Sequence, residues 1–419
     1  MASSNPGAAA AERGGGGLGG GHPTNLANNF TLNRAAQASR RRPGPLPLSS
    51  LSSPLLSLSL SLKLSVIDAA DRAALLARLD RSLDIAAGGS AANTLSALAR
   101  LGDADAAARG GGRLRVALAP VAGTDAQAAF HAAELGRAGV EVLPGCQTAE
   151  EHGATGTVFV LTTPDANRSF LSHVAFAPGG LLSPSPHALA AASRSRLLLV
   201  EGYLWAAPGA EAAIAAAVAA ARAGGALVAF TAGDAGVVTR HRAALWRALQ
   251  AGWADVLFAN AAEAAALLAH EDGDGIAPAV TALEAARALG PHVGLAAVTD
   301  GASGAVLSAL GELHVVPPVW VPSRPVDTNG AGDAFAAGAL WGLLRGLPVP
   351  AVGRAGARAA SATIQHTGAA LGAAEAGAVV AAMEGEAARL VGGPGLAGGS
   401  PLTPADLIAA SVEAGALEC

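Results

Sequence analysis

The chain has 419 residues, of which 51% are hydrophobic but only 3% aromatic, and its formal net charge is −5. This length allows one large domain or two modest ones with a well-buried core, and the negative balance excludes the basic surface that nucleic-acid binding requires. With Cys146 and Cys419 as the only cysteines, a disulfide framework and a Cys-rich metal site are excluded as well.

Lysine usage excludes several mechanisms. Lys63 is the only lysine, and it lies at the edge of the predicted folded region. A Walker A loop, a protein-kinase strand lysine and a Schiff base each require a lysine inside a domain. A bound phosphate would therefore be held by backbone N–H groups, arginine side chains or a metal ion.

Residues 1–62 are predicted to form a transit-peptide-like, low-complexity segment. They are rich in serine and contain arginines, and no acidic residue occurs from Arg13 to Ser65, which is typical of organelle transit peptides. Simple low-complexity disorder is the alternative. We expect a chloroplast or plastid location, with mitochondrion or cytoplasm as alternatives, and no stretch qualifies as a transmembrane helix.

Residues 63–385 are predicted to form one α/β domain. Short apolar runs alternate with Ala-rich helical stretches, as expected for βαβ units around a buried parallel sheet. Strands are predicted at 196–204, 226–234, 254–260 and 294–301, with helices on both faces of the sheet. Ligands in such folds bind beyond the carboxyl ends of the strands, where the sequence places Glu201, Asn260 with Glu263, and Thr299 with Asp300.

Two peripheral segments differ from this pattern. Residues 153–176 are β-rich with a turn at TTPDANR, which predicts a pair of antiparallel strands projecting from the main sheet as a small lid. Residues 386–419 are predicted to be a Gly-rich tail that ends in a short helix, with Thr403 as N-cap and Pro404 at the first helical position.

The segment 327-DTNGAGDAF-335 places small residues at the start of an Ala-rich helix. Unpaired N–H groups at a helix N-terminus favour an anion. The helix dipole would keep Asp333, in the first turn, ionised and ready to accept a proton. The alternative is that Asp333 only complements the dipole.

Three further clusters carry polar groups at helix starts or turns. In 88-GGSAAN-93, two glycines and Asn93 would let a hydroxylated ligand lie against the chain, or they form an ordinary helix start. Asn260 with Glu263 suits a water-mediated Mg²⁺, or a capping box. The segment 299-TDGASG-304 predicts a tight turn that would admit a nucleotide's sugar and phosphates.

The order GGSAAN, VEGYL, NAAE, VTDGASG, DTNGAGD resembles the PfkB/ribokinase family of sugar and nucleoside kinases over about residues 63–370. It looks most like the adenosine-kinase-like branch among plant and algal PfkB-type carbohydrate kinases. The resemblance implies a ribokinase-like α/β fold with a central, mostly parallel sheet, helices on both faces and a small β lid. It also implies ATP-dependent transfer of the γ-phosphoryl group to a hydroxyl of an adenosine-, ribose- or fructose-like acceptor. ATP and Mg²⁺ would be the cofactors, with K⁺ as a further candidate.

Site residues follow from the same resemblance, which implies that Asp333 is the catalytic base. The implied anion hole consists of Gly330, Ala331 and Gly332, and the implied substrate-binding residues are Gly88, Gly89, Asn93 and Glu201. The implied ATP-binding residues are Asn260, Thr299, Gly301 and Gly304. The implied metal-binding residues are Glu263, which would bind Mg²⁺ through water, and Asp327, which would bind a monovalent cation.

The chain departs from the family at its beginning. Relatives start with a strand whose aspartate grips the substrate hydroxyls, and no such strand precedes GGSAAN here. Three explanations for the missing strand are open. An exon has been lost, SLSLKLSVID takes the place of the strand with Asp68 as its aspartate, or the protein has lost sugar binding. The last keeps open a catalytically impaired PfkB-like protein that acts as an organellar interaction or regulatory subunit.

The expected partner is a small-molecule sugar or nucleoside, with no nucleic acid and no membrane, and monomer and homodimer stay open. A Rossmann-type dehydrogenase is disfavoured because no G-x-G-x-x-G follows an early strand.

Overall fold

The computed structural model describes residues 64–78, 85–144, 155–162, 168–173, 181–269, 280–319, 324–392, 405–407 and 409. The predicted transit segment, the lid turn at 163–167 and the predicted cap residues Thr403 and Pro404 lie outside these ranges.

Eleven strands occur in the described part of the chain. In chain order they are β1 (Leu64–Val66), β2 (Val116–Leu118), β3 (Val140–Val142), β4 (Thr157–Thr162), β5 (Arg168–His173), β6 (Leu197–Val200), β7 (Leu227–Thr231), β8 (Val256–Asn260), β9 (Leu295–Thr299), β10 (Ala305–Ala309) and β11 (Glu312–Val316).

Eleven α-helices occur in the same ranges. They are α1 (Ala69–Arg78), α2 (Ser90–Arg109), α3 (Ala126–Arg137), α4 (Pro186–Ala192), α5 (Ala210–Ala223), α6 (Ala235–Gln250), α7 (Ala261–Leu268), α8 (Ala282–Leu289), α9 (Ala331–Leu344), α10 (Val349–Thr363) and α11 (Ala373–Gly392). Helix α11 therefore continues past residue 385, where the sequence placed the end of the domain. None of these helices combines the length and the apolar character that crossing a bilayer requires.

The predicted α/β architecture is confirmed. The main sheet has the order β11-β10-β9-β8-β7-β6; strands β6 to β9 are parallel, and β10 and β11 are antiparallel additions. Alternate residues of one strand serve opposite faces. On β7, Leu227 and Ala229 pack with α2, α9, α10 and α11, whereas Val228 and Phe230 pack with α5, α6, α7 and α8. Burial on both faces explains the uninterrupted apolar strands.

Three strands end earlier than predicted; one of them, β9, stops at Thr299, two residues before the predicted end at 301. Strand β6 stops at Val200, and Gly202–Ala206 form a 3₁₀ helix, which buries Trp205 against Phe230 with ring centroids 6.3 Å apart. Only glycine fits at the start of this turn, since a Cβ on Gly202 would lie 2.3 Å from the Ala232 carbonyl. Strand β7 likewise stops at Thr231. Apolar runs do not mark where a strand turns into a helix.

A second, peripheral sheet has the order β1-β5-β4. Strands β4 and β5 are antiparallel, which confirms the strand pair predicted within 153–176. Strand β1, from the SLSLKLSVID segment, joins β5 in parallel and so does not enter the main sheet. Asp68 is exposed beyond β1, where its Oδ1 accepts a 2.7 Å hydrogen bond from the Asp71 amide. This carboxyl therefore caps α1.

A large cleft separates two sheet edges. Strands β2 and β3 form a parallel pair of their own, and no strand of the described residues joins β2 to β6. The cleft has a volume of about 2500 Å³ and is lined by both β2 and β6, by α2 and α5, and by Val158 and Val160 of the peripheral sheet. It runs on to the carboxyl ends of the main-sheet strands.

Candidate active site

The cleft brings most of the predicted site residues together. Its lining includes Gly88, Gly89, Asn93, Glu201, Asn260, Glu263, Gly330, Ala331, Gly332 and Asp333. These residues come from the starts of α2, α7 and α9 and from the end of β6, so segments far apart in sequence meet at one edge of the sheet.

Helix α9 begins as the sequence predicted. Gly330 is the N-cap with φ 75°, and a Cβ at this position would lie 2.4 Å from the Ala369 carbonyl oxygen. Only glycine satisfies both the left-handed backbone and this close approach. Gly332, one residue before Asp333, faces open space. This open space lets an anion approach the start of the helix.

Asp333 is held by two donors from α2. The Ser90 hydroxyl donates to Oδ1 at 2.7 Å, and the Asn93 amide donates to Oδ2 at 2.8 Å. Enclosure by protein raises the pKa of Asp333, and the bonds from Asn93 and Ser90 only partly offset that effect. A carboxylate with a raised pKa, placed in the first turn of a helix, is suited to accept a proton next to a bound anion.

Glu201 lies behind Ser90 and is buried, with 7% of its surface exposed. The Thr231 hydroxyl donates to its Oε1 at 2.7 Å. Burial raises the pKa of Glu201 to about 7; hydrogen bonding from Ser90 lowers it, and the charge of Asp333 raises it further. Glu201 is therefore largely neutral below that pH.

Asn260 and Glu263 form a complete capping box at the start of α7. Glu263 N donates to Asn260 Oδ1 at 2.9 Å, and Glu263 Oε2 accepts from the Asn260 amide at 2.9 Å. The capping alternative is thus realised, although Glu263 also lines the cleft. Desolvation raises the pKa of Glu263, against the bond from Asn260 and together with the charges of Glu201, Asp234 and Asp333.

Four predicted residues do not line the cleft. Thr299 pairs with Asn260 in the β8–β9 register, so it lies at the same sheet edge. Gly301 and Gly304 belong to the turn between β9 and β10, as predicted. Asp327 is buried, and its two oxygens accept hydrogen bonds from the Asn329 amide at 2.8 Å and the Gly368 amide at 2.9 Å. Its carboxylate ties two loops together.

Two contributors to the site were not predicted from the sequence. Asp234 caps α6 through Gly236 and Val237 and raises the pKa of Glu263. Asp234 follows an apolar run in the sequence, but the predicted strand was too long and included this residue at its end. Ser90 was noticed only as a helix-start residue. Among the described residues no group of three or more His, Cys, Asp or Glu side chains is arranged to hold a metal ion.

A family profile described as pfkB family carbohydrate kinase matches residues 64–376. The chain belongs to this family. The match covers all three sheets and every helix from α1 to the start of α11, so the predicted family is confirmed.

Individual pfkB relatives give the same picture. A segment of 118 residues is 32% identical to adenosine kinase 1 of Arabidopsis thaliana, covering 27% of this chain and 34% of that protein. A segment of 77 residues is 35% identical to Arabidopsis thaliana inositol 3-kinase, covering 18% of this chain and 21% of that protein. These matches thus span about a third or less of the curated relatives.

Structural similarity extends further along the chain. The crystal structure of adenosine kinase from Sinorhizobium meliloti superposes with a TM-score of 0.63 at 28% identity, covering 76% of this chain and 90% of that one. The ribokinase-like α/β fold and the adenosine-kinase-like branch are therefore confirmed.

Proposed function

We propose that this pfkB protein is an ATP-dependent kinase that transfers the γ-phosphoryl group to a hydroxyl of a sugar or nucleoside. One observation carries the proposal: Asp333 occupies the first turn of α9, close to the N-cap Gly330, at the wall of the cleft. Phosphoryl transfer depends on positioning and charge stabilisation more than on covalent catalysis. A helix N-terminus and one base therefore suffice without any lysine.

In the proposed reaction Asp333 accepts the proton of the acceptor hydroxyl. The hydroxyl oxygen forms a bond to the γ-phosphorus, the bond from that phosphorus to the bridging oxygen breaks, and ADP leaves with the bridging electron pair. The amides of Gly330, Ala331 and Gly332 stabilise the charge on the transferring group. Ser90 and Asn93 each donate a hydrogen bond to one oxygen of Asp333. When the substrate binds, one of these two bonds must be replaced by a bond from the acceptor hydroxyl.

Substrate and nucleotide would occupy different ends of the cleft. Gly88, Gly89 and Asn93 at the start of α2 would contact the acceptor, and an adenosine-, ribose- or fructose-like molecule is the proposed class. The similarity to adenosine kinases supports this class. Asn260, with Thr299 beside it on β9, would contact ATP together with the turn that contains Gly301 and Gly304.

Mg²⁺ fits the acidic residues at the nucleotide end. Glu201, Asp234 and Asp333 each raise the pKa of Glu263 through their negative charge, and a bound cation would relieve that repulsion. Glu263 would hold the ion through water, since both its oxygens already accept bonds from Asn260. When bound, Mg²⁺ would neutralise phosphate charge. A K⁺ ion near Asp327 stays a prediction. Both oxygens of the Asp327 carboxylate already accept amide hydrogen bonds.

The test is ATP consumption by the full chain against ribose, fructose, adenosine and other nucleosides. We expect turnover with at least one acceptor and a loss of about 10²–10⁴-fold in Asp333→Asn, the usual contribution of a general base, with ATP binding retained. Asp103→Asn is the control, since Asp103 pairs with Arg113 at the surface. Near-normal turnover in Asp333→Asn would exclude Asp333 as the base.

A catalytically impaired interaction or regulatory subunit is the second candidate. It is favoured by the cleft between β2 and β6, where no strand of the described residues lies. No turnover with any acceptor, together with a stable protein partner isolated from the organelle, would support it.

Location and lid are further parts of the proposal. Residues 1–62 would direct the chain to a plastid, which a fluorescent fusion with and without them would test against mitochondrial and cytoplasmic locations. The sheet β1-β5-β4 would act as the lid, since Val158, Val160, Phe170 and Ser172 line the cleft.

A further inference from the structure

The start of α2 is bonded from outside the helix by a histidine of α3. The side chain of His131 lies in the wall of the cleft and is buried, with 7% of its surface exposed. Its Nε2 lies 2.9 Å from the backbone carbonyl oxygen of Gly88, which is 43 positions earlier in the chain. His131 therefore contacts the first residue of the GGSAAN motif.

This contact fixes the hydrogen on the His131 ring. A carbonyl oxygen only accepts hydrogen bonds, so Nε2 carries a hydrogen and donates it to Gly88. Burial lowers the pKa of His131, and the bond to Gly88 only partly offsets that effect. At neutral pH the ring is therefore mostly uncharged, with its hydrogen on Nε2.

The turn that His131 contacts lacks a side-chain cap of its own. Gly89 is the N-cap of α2 with φ 104°, and no side chain caps the helix. Within the described ranges, no atom outside its immediate neighbours lies within 4 Å of the place where a Cβ on Gly89 would stand. The Asn93 amide donates to Gly89 O at 2.9 Å, which ties the turn only to its own helix. His131 adds a bond from a neighbouring helix.

Helix α3 is itself anchored at its start. Asp125 Oδ1 accepts from the Thr155 hydroxyl at 2.5 Å, and Oδ2 accepts from the Thr155 amide at 2.8 Å. Further along the helix, His131 and Leu135 are both buried, one turn apart, and Leu135 belongs to the same core as the buried face of α2. Helix α3 therefore presents the His131 ring to Gly88 from a fixed position.

We propose, building on the kinase function above, that His131 is a positioning residue for the phosphoryl acceptor: it holds the Gly88 carbonyl, so that the turn of Gly88 and Gly89 is preformed when the acceptor binds. A preformed turn lowers the cost of ordering the chain on binding. The proposed ATP-binding residues belong to β8, β9 and the turn that follows β9, so His131 acts on the acceptor and not on the nucleotide.

Two substitutions separate the donated bond from the presence of a side chain. His131→Leu removes the donor, whereas His131→Gln keeps one, because the glutamine amide nitrogen reaches close to the position of Nε2. We expect the KM for the acceptor to rise about three- to tenfold in His131→Leu, the usual effect of one lost hydrogen bond, while the KM for ATP stays unchanged. In His131→Gln the acceptor KM should return close to that of the unmodified protein. Equal acceptor KM values in the two variants, or an equal rise in the KM for ATP, would overturn the proposal.

Leu135→Ala controls for a loss of stability in α3. Leu135 is 2% exposed and is not part of the cleft lining, so its truncation loosens the same helix without removing a bond to Gly88. Its thermal midpoint should fall while the acceptor KM stays unchanged. An acceptor KM raised as much as in His131→Leu would overturn the proposal, because loose packing alone would then explain the effect. Should His131→Leu not fold, His131→Asn takes its place, since the asparagine amide ends short of the position of Nε2.

A second readout does not depend on turnover. The Asn93 amide, which bonds to Gly89 O, should exchange with deuterium about three- to tenfold faster in His131→Leu than in His131→Gln, because a freed turn lets the helix start open. Unchanged exchange in His131→Leu would overturn the proposal. If exchange is faster but no acceptor is phosphorylated, the kinase function fails while the holding of the turn by His131 is supported.

Discussion

The Asn93 amide donates a 2.8 Å hydrogen bond to Asp333 Oδ2 and so joins two residues that lie 240 positions apart. One residue comes from the predicted substrate motif and the other is the predicted base. Their contact shows that the start of α2 and the start of α9 form one site.

Removal of this donor should change the pH dependence of activity. The bonds from Asn93 and Ser90 lower the pKa of Asp333 against the larger, opposite effect of desolvation. In Asn93→Ala the pKa of Asp333 therefore rises further, the base is protonated at a higher pH, and activity is lost earlier on acidification. We expect kcat/KM near neutral pH to fall roughly tenfold. The pH profile of kcat/KM checks this, with Asp103→Asn as control. Coinciding acid limbs would show that Asn93 does not act on the base.

Asp125 should stabilise the protein in a pH-dependent manner. It caps α3 through the Ala128 amide at 2.9 Å and accepts from the Thr155 amide at 2.8 Å and the Thr155 hydroxyl at 2.5 Å. Desolvation raises its pKa, but these bonds outweigh that effect, so the pKa lies below its usual 3.8.

A depressed pKa in the folded state means that the stabilisation is present above pH 3.8 and disappears as the pH falls through the folded-state pKa. Asp125→Ala should therefore lower the free energy of unfolding by about 1–2 kcal/mol near neutral pH, and the difference should shrink in acid. Urea unfolding at several pH values measures it. A difference that does not change with pH would contradict the ionised cap.

Arg222 should be needed to keep Asp255 buried. Its guanidinium donates to the two oxygens of Asp255 at 2.6 and 2.7 Å, and the Asp255 side chain has no exposed surface. Arg222→Ala leaves a buried carboxylate without its cation, for which about 3–5 kcal/mol of lost stability is typical. Chemical unfolding tests this. Arg247→Ala, which breaks an exposed pair with Glu211, is the control and should change stability far less.

Gly338 should be required for the packing of α9 against α10. A Cβ at Gly338 would lie 2.4 Å from the Ala355 carbonyl oxygen, so Gly338→Ala forces the two helices apart and should cost about 1–3 kcal/mol. Gly377 in α11 has no atom within 4 Å of the corresponding position. Gly377→Ala should therefore gain up to about 1 kcal/mol from helix propensity. Thermal unfolding of both variants tests these expectations. Equal stabilities of Gly338→Ala and Gly377→Ala would refute the packing role of Gly338.

Local sequence determined much of this protein. Alternating apolar runs and Ala-rich stretches predicted the parallel sheet and its helices, because side-chain period and propensity act within a few residues. Gly330 and Asp333 marked the start of α9, and Asn260 with Glu263 marked that of α7, since helix caps are local chemistry. The order of the motifs was enough to predict the family.

Only the tertiary structure decided which of these local features meet. The bond from Ser90 to Asp333 joins positions 243 residues apart, and the burial of Glu201 behind Ser90 depends on where β6 ends. The placement of β1 beside β5, and not in the main sheet, depends on strand pairing between distant segments. Side-chain periodicity specifies that a strand forms and which faces it buries, but not its neighbour. Strand order, and with it the electrostatic surroundings of each carboxyl group, is settled by long-range packing.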